Sequence, residues 1–322
     1  MFPPRDRLTI CFAHAAYRLQ ERFLLRGLDI AHFEVRTPAE FEQRIGDADV
    51  VVVSGLWRND LLERAQRLRF VQSISAGTDQ YDREKLKARG VRLASAKGVN
   101  ARAVAEHSIA LILALARKLP EARDNQVKHA WRGMISEIAR REDELGGKTL
   151  LIVGLGSIGS RVAQLAKAFG LHVIGVKRNP AEGGEAADSV HGMPELKLLL
   201  PRADFVLLTC PLTKETEKII DADALSRMKK TAYLVNAARG GCVDEPALVK
   251  ALQDRTIAGA AIDVAAQEPL AATSPLWDLG NVLITPHTAG ETQKYEDNVL
   301  DILVENLEKL WRGESRLRNE IV

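Results

Sequence analysis

The sequence predicts an α/β protein with two doubly wound domains, each built on a parallel β-sheet with helices on both faces. Short runs rich in β-branched residues alternate with helical patterns along nearly the whole chain, which is typical of parallel sheets. These runs fall into two series. The length of 322 residues also indicates two domains, since one domain takes roughly 150 residues.

The first series predicts a sheet in the N-terminal part of the chain. We expect its strands at 8–13, 50–55, 70–75 and 91–96, with helical stretches at 37–45 and 59–68 between them. A long helix over about 101–119, which we expect to stop at Pro120, leads into the second series.

The second series predicts strands at 149–154, 172–176, 205–210, 232–237, 258–264 and 282–286. A last helix over about 290–312 follows it, and we expect the chain to return there to the first domain. The domain boundaries are therefore placed near 100 and 287. The first domain comprises 1–100 plus 288–322, and the second comprises 101–287.

Composition narrows the class of protein. Apolar residues make up 46% and charged residues 27%, as in a globular protein, and the net charge of +2 does not indicate nucleic acid or a membrane surface as a partner. Three cysteines, Cys11, Cys210 and Cys242, are not spaced as metal ligands, so no metal is predicted. The N-terminus lacks the features of a signal peptide, and the most apolar helix contains Glu106 and His107, so we expect a cytoplasmic protein without a membrane span.

A glycine-rich loop follows the first strand of the second series. In GLGSIG, Gly154 permits a tight turn, Gly156 lets backbone amides approach a pyrophosphate, and Gly159 allows close helix packing. The amides at the helix start, around Ser157 and Ile158, would face the phosphates. This context predicts a dinucleotide site, although an ordinary strand–turn–helix corner is the alternative.

The residues after the next strand bear on the choice of cofactor. An NAD site usually presents Asp or Glu there, whereas this chain has Lys177 and Arg178. Since cations attract a 2′-phosphate, we predict NADP(H) in preference to NAD(H). The alternative is that both are solvated loop cations and that specificity is set elsewhere.

Six segments, in order along the chain, carry a resemblance to a known family. They are GVNARAVAEHSIALILALAR (98–117), ELGGKTLLIVGLGSIG (144–159), TCPLTKET (209–216), NAARGGCVDEPALVKAL (236–252), IDVAAQEPL (262–270) and SPLWDLGNVLITPHTAG (274–290). Together they resemble the D-isomer-specific 2-hydroxyacid dehydrogenases. The resemblance implies a Rossmann-type dinucleotide-binding domain inserted in a flavodoxin-like substrate-binding domain, with the active site in the cleft between them.

The resemblance implies that Arg239, Glu268 and His287 are catalytic. His287 is suited to proton transfer because histidine changes its charge near neutral pH, and Glu268 would orient its ring. Arg239 would bind the substrate carboxylate and polarise the reacting carbonyl. Taken singly, each residue is more simply a loop residue, but all three stand at predicted strand ends, where α/β sheets place ligands.

Further residues are assigned by the same resemblance. Backbone amides of Ala76 and Gly77 would bind the substrate carboxylate, and Leu56 and Trp57, after another strand, could line its side-chain pocket. The alternative for Ala76 and Gly77 is a plain glycine turn.

On the cofactor side, the resemblance gives Asp263 a contact with the nicotinamide carboxamide. Cys210 and Pro211 would form a wall along the adenosine. Cys210 is therefore interpreted as a packing residue and not as a nucleophile. The run 181–192 carries no motif and is interpreted as an adenine-side loop.

The expected function is reduction of a small 2-oxoacid, glyoxylate or hydroxypyruvate, to the D-2-hydroxyacid with NADPH. The charge-rich segment 125–145 resembles an arm that packs against a partner subunit, so a homodimer is expected, with a solvated surface helix as the alternative. Two other functions stay open: a dinucleotide-sensing corepressor of the same fold with little turnover, and an NAD-dependent dehydrogenase of a larger 2-oxoacid.

Overall fold

The structure is a computed structural model that describes residues 2–184 and 186–322. It divides into two compact units: the chain up to Asn100 together with Thr292–Val322, and Ala101–Glu291. Each unit has its own parallel β-sheet, so the predicted α/β class with two parallel sheets is confirmed.

The first unit contains a five-stranded sheet in the order β2-β1-β3-β4-β5. This is the order of flavodoxin-like folds. Its elements up to Asn100 are β1 (Thr9–Ala13), α1 (Leu19–Leu24), β2 (Ala31–Val35), α2 (Pro38–Arg44), β3 (Val50–Val53), β4 (Phe70–Ser73), α3 (Arg83–Ala88) and β5 (Arg92–Ala94).

Sequence features explain these elements. β3 is a run of four valines, all fully buried, because both faces of a central parallel strand are covered by apolar side chains. Helix α2 begins where the sequence offers a capping box: the Thr37 hydroxyl accepts from the Glu40 amide, and the Glu40 carboxylate accepts from the Thr37 amide.

The second unit contains a seven-stranded sheet in the order β12-β11-β10-β9-β6-β7-β8. Its elements are α4 (Ala101–Ala116), α5 (Leu119–Val127), β6 (Thr149–Val153), α6 (Ser157–Ala168), β7 (His172–Lys177), β8 (Ser189–Gly192), α7 (Leu196–Leu199), β9 (Phe205–Leu208), α8 (Ala222–Arg227), β10 (Tyr233–Asn236), α9 (Glu245–Gln253), β11 (Gly259–Ile262) and β12 (Val282–Ile284). The strand order reverses at β6, and ligands of such sheets bind beyond the carboxyl ends of the strands at this point.

The last helix, α10 (Tyr295–Trp311), belongs to the first unit. The Tyr295 hydroxyl donates to the Ile74 carbonyl at 2.6 Å. The fully buried Asn306 donates to the Gln72 side chain and accepts from the Arg318 amide. These bonds satisfy polar groups inside an apolar core and so fix the C-terminal segment to the sheet. Of the helices in the described residues, none is both long and apolar enough to cross a membrane.

Three expectations about single elements were wrong. The stretch 59–68 forms only a 3-10 turn at Asn59–Glu63. The helix expected to reach Pro120 ends at Ala116, and α5 starts at Leu119 after Lys118 takes a left-handed φ of 51°. Pro120 therefore stands in the first turn of a helix, where its missing amide proton costs little.

The third error concerns 181–192, which was interpreted as a loop. Its end forms the edge strand β8, which pairs in parallel with β7. All four β8 residues are only partly buried, so the strand lacks the apolar run that marks the others. In segment 125–145, predicted to be an arm against a partner subunit with a surface helix as the alternative, α5 ends at Val127 and a 3-10 turn follows at Ile138–Arg140.

Candidate active site

The glycine loop between β6 and α6 is a tight turn that excludes side chains at two positions. Gly154 has φ of 104°, and a Cβ added there would lie 2.5 Å from the Cys210 nitrogen. A Cβ on Gly159 would lie 2.3 Å from the Gly154 carbonyl oxygen. Since real Cβ atoms do not approach so closely, both positions require glycine.

Gly156 differs because its space is open. No described atom lies within 4 Å of a Cβ built on it. It is the N-cap of α6, and no side chain among the described residues caps the first turn, which includes Ser157, Ile158 and Gly159. A helix start with uncapped amides and open space beside it fits the pyrophosphate of a dinucleotide.

Gly156→Ala is expected to weaken dinucleotide binding without unfolding the chain. The added methyl meets no atom of the residues that the structure describes, yet it occupies the space that suits a pyrophosphate, so we expect Kd for NADPH to rise about tenfold. Isothermal titration calorimetry measures this Kd, and Tm measures the fold. Gly146→Ala is the matched control, since its methyl also meets no described atom. Unchanged affinity in Gly156→Ala would contradict this placement of the pyrophosphate.

Thr209 supports the same loop, and sequence analysis missed its role. Its hydroxyl donates to the Gly154 carbonyl at 2.8 Å. It stands directly after β9, at the same sheet edge, so the rule that singled out the other strand ends would have found it.

Lys177 and Arg178 stand at the end of β7, but they differ in their surroundings. The Lys177 ammonium donates to the Glu182 carbonyl. Arg178 is exposed. A hydrogen bond from Thr213 lowers the pKa of Glu215, and the charge of Arg178 contributes to this shift. Arg178 is therefore the more available cation for a ligand phosphate.

Cys210 and Pro211 lie on the other side of the glycine loop. Cys210 is 5% exposed, and its backbone approaches Gly154 closely. A hydrogen bond with the Cys242 thiol, reinforced by burial, raises the pKa of the Cys210 thiol. A protonated, buried thiol is a poor nucleophile, which agrees with a packing role. Pro211 is exposed.

Glu268 and His287 are in direct contact. The Glu268 Oε2 atom lies 2.6 Å from the His287 Nδ1 atom, and Glu268 Oε1 accepts from the Ala265 amide at 3.1 Å. Because a carboxylate only accepts hydrogen bonds, the Nδ1 atom of His287 carries a proton and donates it to Glu268. No described residue is hydrogen-bonded to His287 Nε2, which is consequently available to a ligand.

The charge of Glu268 is stabilised by its neighbours. Partial burial opposes ionisation, but hydrogen bonds from His287 and Ala265 and the charges of His287 and Arg239 together lower the pKa of Glu268. The lowered pKa keeps this group a carboxylate at neutral pH. A carboxylate hydrogen-bonded to Nδ1 fixes the orientation of the imidazole ring.

Arg239 lies in a loop after β10 that is closely fitted to the loop carrying Glu268. The Asn236 side chain accepts from the Ala238 amide and donates to the Arg239 carbonyl, both at 3.1 Å. Next to Arg239, a Cβ on Gly240 would lie 1.8 Å from the Ala265 carbonyl oxygen, so the two loops touch backbone to backbone. The Arg239 residue itself is exposed.

Glu245, at the start of α9, joins the same two loops, and sequence analysis missed it. Its carboxylate accepts from the Ala266 amide at 2.9 Å. No local pattern predicts this bond, because its partner lies 21 residues away in the chain.

Asp263, predicted to contact the nicotinamide carboxamide, is 2% exposed. Its carboxylate accepts from the Thr285 hydroxyl at 2.6 Å and from the Thr288 and Ala289 amides at 3.0 and 3.1 Å. These bonds hold the turn that carries His287. The contact with a cofactor stays a prediction.

A cavity of about 500 Å³ adjoins Glu268 and His287. Its other walls are mainly apolar and include Ile262, Leu270, Trp277 and Ile284. Such a cavity, apolar with a few polar groups at one end, is the usual form of a small-molecule site.

The residues predicted to bind substrate in the first unit follow two strand ends. Ala76 and Gly77 come after β4 and are exposed. Leu56 is partly buried, whereas Trp57 is 5% exposed, packs on Tyr81 and donates its ring N–H to Asn59. The roles of these four residues stay predictions.

Comparisons with known proteins agree with the predicted resemblance. The sequence profile of the "D-isomer specific 2-hydroxyacid dehydrogenase, NAD binding domain" matches residues 109–289. The chain is 37% identical over 278 residues to glyoxylate reductase from Korarchaeum cryptofilum, which covers 84% of this chain and 82% of the relative.

Two further relatives differ in what they cover. D-3-phosphoglycerate dehydrogenase from Methanocaldococcus jannaschii is 38% identical over 86% of this chain, which spans only 52% of that relative's length. A crystal structure of NADPH-dependent glyoxylate/hydroxypyruvate reductase from Sinorhizobium meliloti is 28% identical, with a TM-score of 0.81 and 98% of each chain covered.

Proposed function

The chain belongs to the D-isomer specific 2-hydroxyacid dehydrogenase family, and we propose that it reduces a small 2-oxoacid to the D-2-hydroxyacid with NADPH. Glyoxylate and hydroxypyruvate are the proposed substrates. The observation that carries the proposal is the 2.6 Å hydrogen bond between Glu268 and His287 Nδ1, which leaves Nε2 to a ligand beside the 500 Å³ cavity.

Each of the three side chains has a distinct task in the proposed reaction. When bound, NADPH supplies the hydride. His287 donates a proton from Nε2 to the carbonyl oxygen, and Glu268 holds the ring in the orientation for this transfer. Arg239 binds the substrate carboxylate through paired charge-assisted hydrogen bonds. In the opposite direction, His287 accepts the proton from the hydroxyl group.

Two considerations support a small, unphosphorylated substrate. Relatives named glyoxylate reductase and glyoxylate/hydroxypyruvate reductase match most of the chain. A phosphorylated substrate would need further cations, and the sequence motifs offer no cationic cluster beyond Arg239. The backbone amides of Ala76 and Gly77 are proposed to bind the substrate carboxylate.

The proposed preference for NADPH rests on the end of β7. Neither of the two positions at the end of β7 holds the acid that would repel a 2′-phosphate, and Arg178 is exposed. The relative of known structure from Sinorhizobium meliloti is named as NADPH-dependent. Arg178 is thus proposed as the main contact of the 2′-phosphate, with Lys177 beside it.

A spectrophotometric panel tests the proposed function. Oxidation of NADPH and NADH is followed at 340 nm with glyoxylate, hydroxypyruvate and larger 2-oxoacids. We expect turnover to be fastest with the two small acids and NADPH. Tight NADPH binding without turnover of any acid would instead favour a dinucleotide sensor. Faster turnover with NADH and a larger acid would favour the other dehydrogenase.

Arg178→Ala tests the cofactor assignment. Loss of a charge-assisted bond to the 2′-phosphate should lower kcat/KM for NADPH about tenfold and leave that for NADH nearly unchanged. Lys230→Ala, an exposed cation elsewhere in the same unit, is the control. Equal losses with both cofactors would argue against a phosphate contact at Arg178.

A homodimer is also proposed. The segment after α5 carries large apolar side chains that are strongly exposed in the single chain: Trp131 at 100%, Met134 at 103% and Ile138 at 77%. Exposed apolar groups of this size favour burial against a partner. Sedimentation equilibrium of the whole chain measures the assembly.

A further inference from the structure

One histidine on the largely apolar helix α4 reaches the turn that carries His287. The His107 Nε2 atom lies 3.0 Å from the Thr285 hydroxyl oxygen, 178 residues further along the chain. The His107 side chain is 23% exposed. An imidazole on such a helix needs a polar partner, and here the partner adjoins the site.

The two hydrogen bonds of the Thr285 hydroxyl show which partner is the donor and which the acceptor. The Thr285 hydroxyl has one proton, and its bond to Asp263 Oδ1 is the shorter one, at 2.6 Å. A carboxylate only accepts hydrogen bonds, so the hydroxyl proton goes to Asp263. Thr285 must therefore accept from His107, which places a proton on His107 Nε2.

Asp263 is hydrogen-bonded to His287 itself and to the two residues that follow it. Its carboxylate accepts from the Thr288 and Ala289 amides, and its backbone carbonyl accepts from the His287 amide at 2.7 Å. The turn from Thr285 to Ala289 is thus fixed before and after His287.

The conformation of His287 makes this fixing necessary. Its φ is 55°, in the left-handed region. A residue with a Cβ atom stays in that region only when its surroundings hold it there. If the turn relaxed, the ring would rotate away from the direction that the bond to Glu268 gives it.

We propose that His107 is a positioning residue: through Thr285 and Asp263 it holds the turn that directs the His287 imidazole. His107 Nε2 also lies 3.6 Å from Asp263 Oδ1, so it acts on the turn through the bonded pair of Thr285 and Asp263 and has no part in the proton transfer. The inference deepens the proposed function, on which its kinetic consequence rests.

Steady-state kinetics of variants at His107 and Thr285 test whether their hydrogen bond positions His287. His107→Phe keeps a ring but removes the donor, and Thr285→Val keeps the shape but removes the hydroxyl. We expect each to lower kcat about tenfold with KM for the 2-oxoacid within about twofold, because the carboxylate contact at Arg239 is untouched. Thr285→Ser should restore kcat to within about twofold of the wild type. Ser108→Ala, which removes a hydroxyl bonded within the same helix, is the control.

A double-mutant cycle separates positioning from a general loss of structure. If His107 acts through Thr285, the double variant should be no slower than either single variant. Losses that multiply in the double variant would overturn the proposal. So would a His107→Phe chain with a lowered Tm but unchanged kcat, or a Thr285→Ser variant as slow as Thr285→Val.

NMR of the histidine side chains tests the effect of the His107–Thr285 hydrogen bond on His287 without relying on enzyme activity. Long-range ¹H–¹⁵N spectra should show His107 protonated at Nε2 in the wild type, and the His287 ring resonances should shift in His107→Phe but not in Ser108→Ala. A wild-type chain that reduces no 2-oxoacid would overturn the proposed function alone. Unmoved His287 resonances, or a His107 ring protonated only at Nδ1, would overturn this inference alone.

Discussion

His287→Asn is expected to lower kcat for 2-oxoacid reduction about 10³-fold, the scale of a lost general acid. Asparagine suits this test because it tolerates the φ of 55° at this position, so the turn survives while the proton donor is lost. Steady-state rates with NADPH and glyoxylate measure the loss, and NADPH affinity should stay close to that of the wild type.

The control for this variant is His172→Asn. His172 begins β7, is exposed, and lies 3.4 Å from Asp188, far along the strand from the glycine loop. Its replacement should leave kcat unchanged. A His287→Asn enzyme with near-normal turnover would remove the proton-transfer role and leave the Glu268 contact without a catalytic purpose.

Arg239→Ala is expected to lower kcat/KM for the 2-oxoacid about 10³-fold, mainly through weaker carboxylate binding and less stabilisation of the reacting carbonyl. The variant loses the 2.7 Å bond from the guanidinium to the Ala238 carbonyl, but the loop keeps the bond of the Asn236 side chain to the Arg239 backbone, so it should largely keep its shape. Arg239→Lys should recover only part of the loss, since an ammonium cannot form the paired bonds of a guanidinium.

Arg202→Ala, at an exposed arginine of the same unit, serves as the control for charge. The charge of the substrate gives a second comparison: if Arg239 binds the carboxylate, the corresponding uncharged 2-oxo amide should react poorly with the wild type and should lose little further in Arg239→Ala. An equal loss with acid and amide would place Arg239 elsewhere in the reaction.

The placement of the candidate site's residues could be predicted because they stand at strand ends. Arg239, Glu268 and His287 all follow strands of one parallel sheet, and parallel strands bring their carboxyl ends to one edge. The glycine loop could also be predicted, because one short segment contains the sequence patterns of a buried strand, a glycine turn and a helix.

Other features could not be predicted because they depend on contacts between distant segments. The bond of His107 to Thr285 joins residues that no local pattern connects, and Trp57 faces a core that only the folded chain defines. Edge strand β8 has no apolar period, and the 59–68 stretch has helical spacing yet forms only a short turn. Tertiary contacts decide such elements more than local preference does.

The approach of Gly240 to Ala265 has a consequence for anyone who wishes to alter substrate choice. Because the two loops leave no space for a methyl group at Gly240, neither can change its backbone alone. A change that moves Arg239 would therefore also move the loop that carries Glu268. Retuning this enzyme therefore requires paired changes on both segments, selected together.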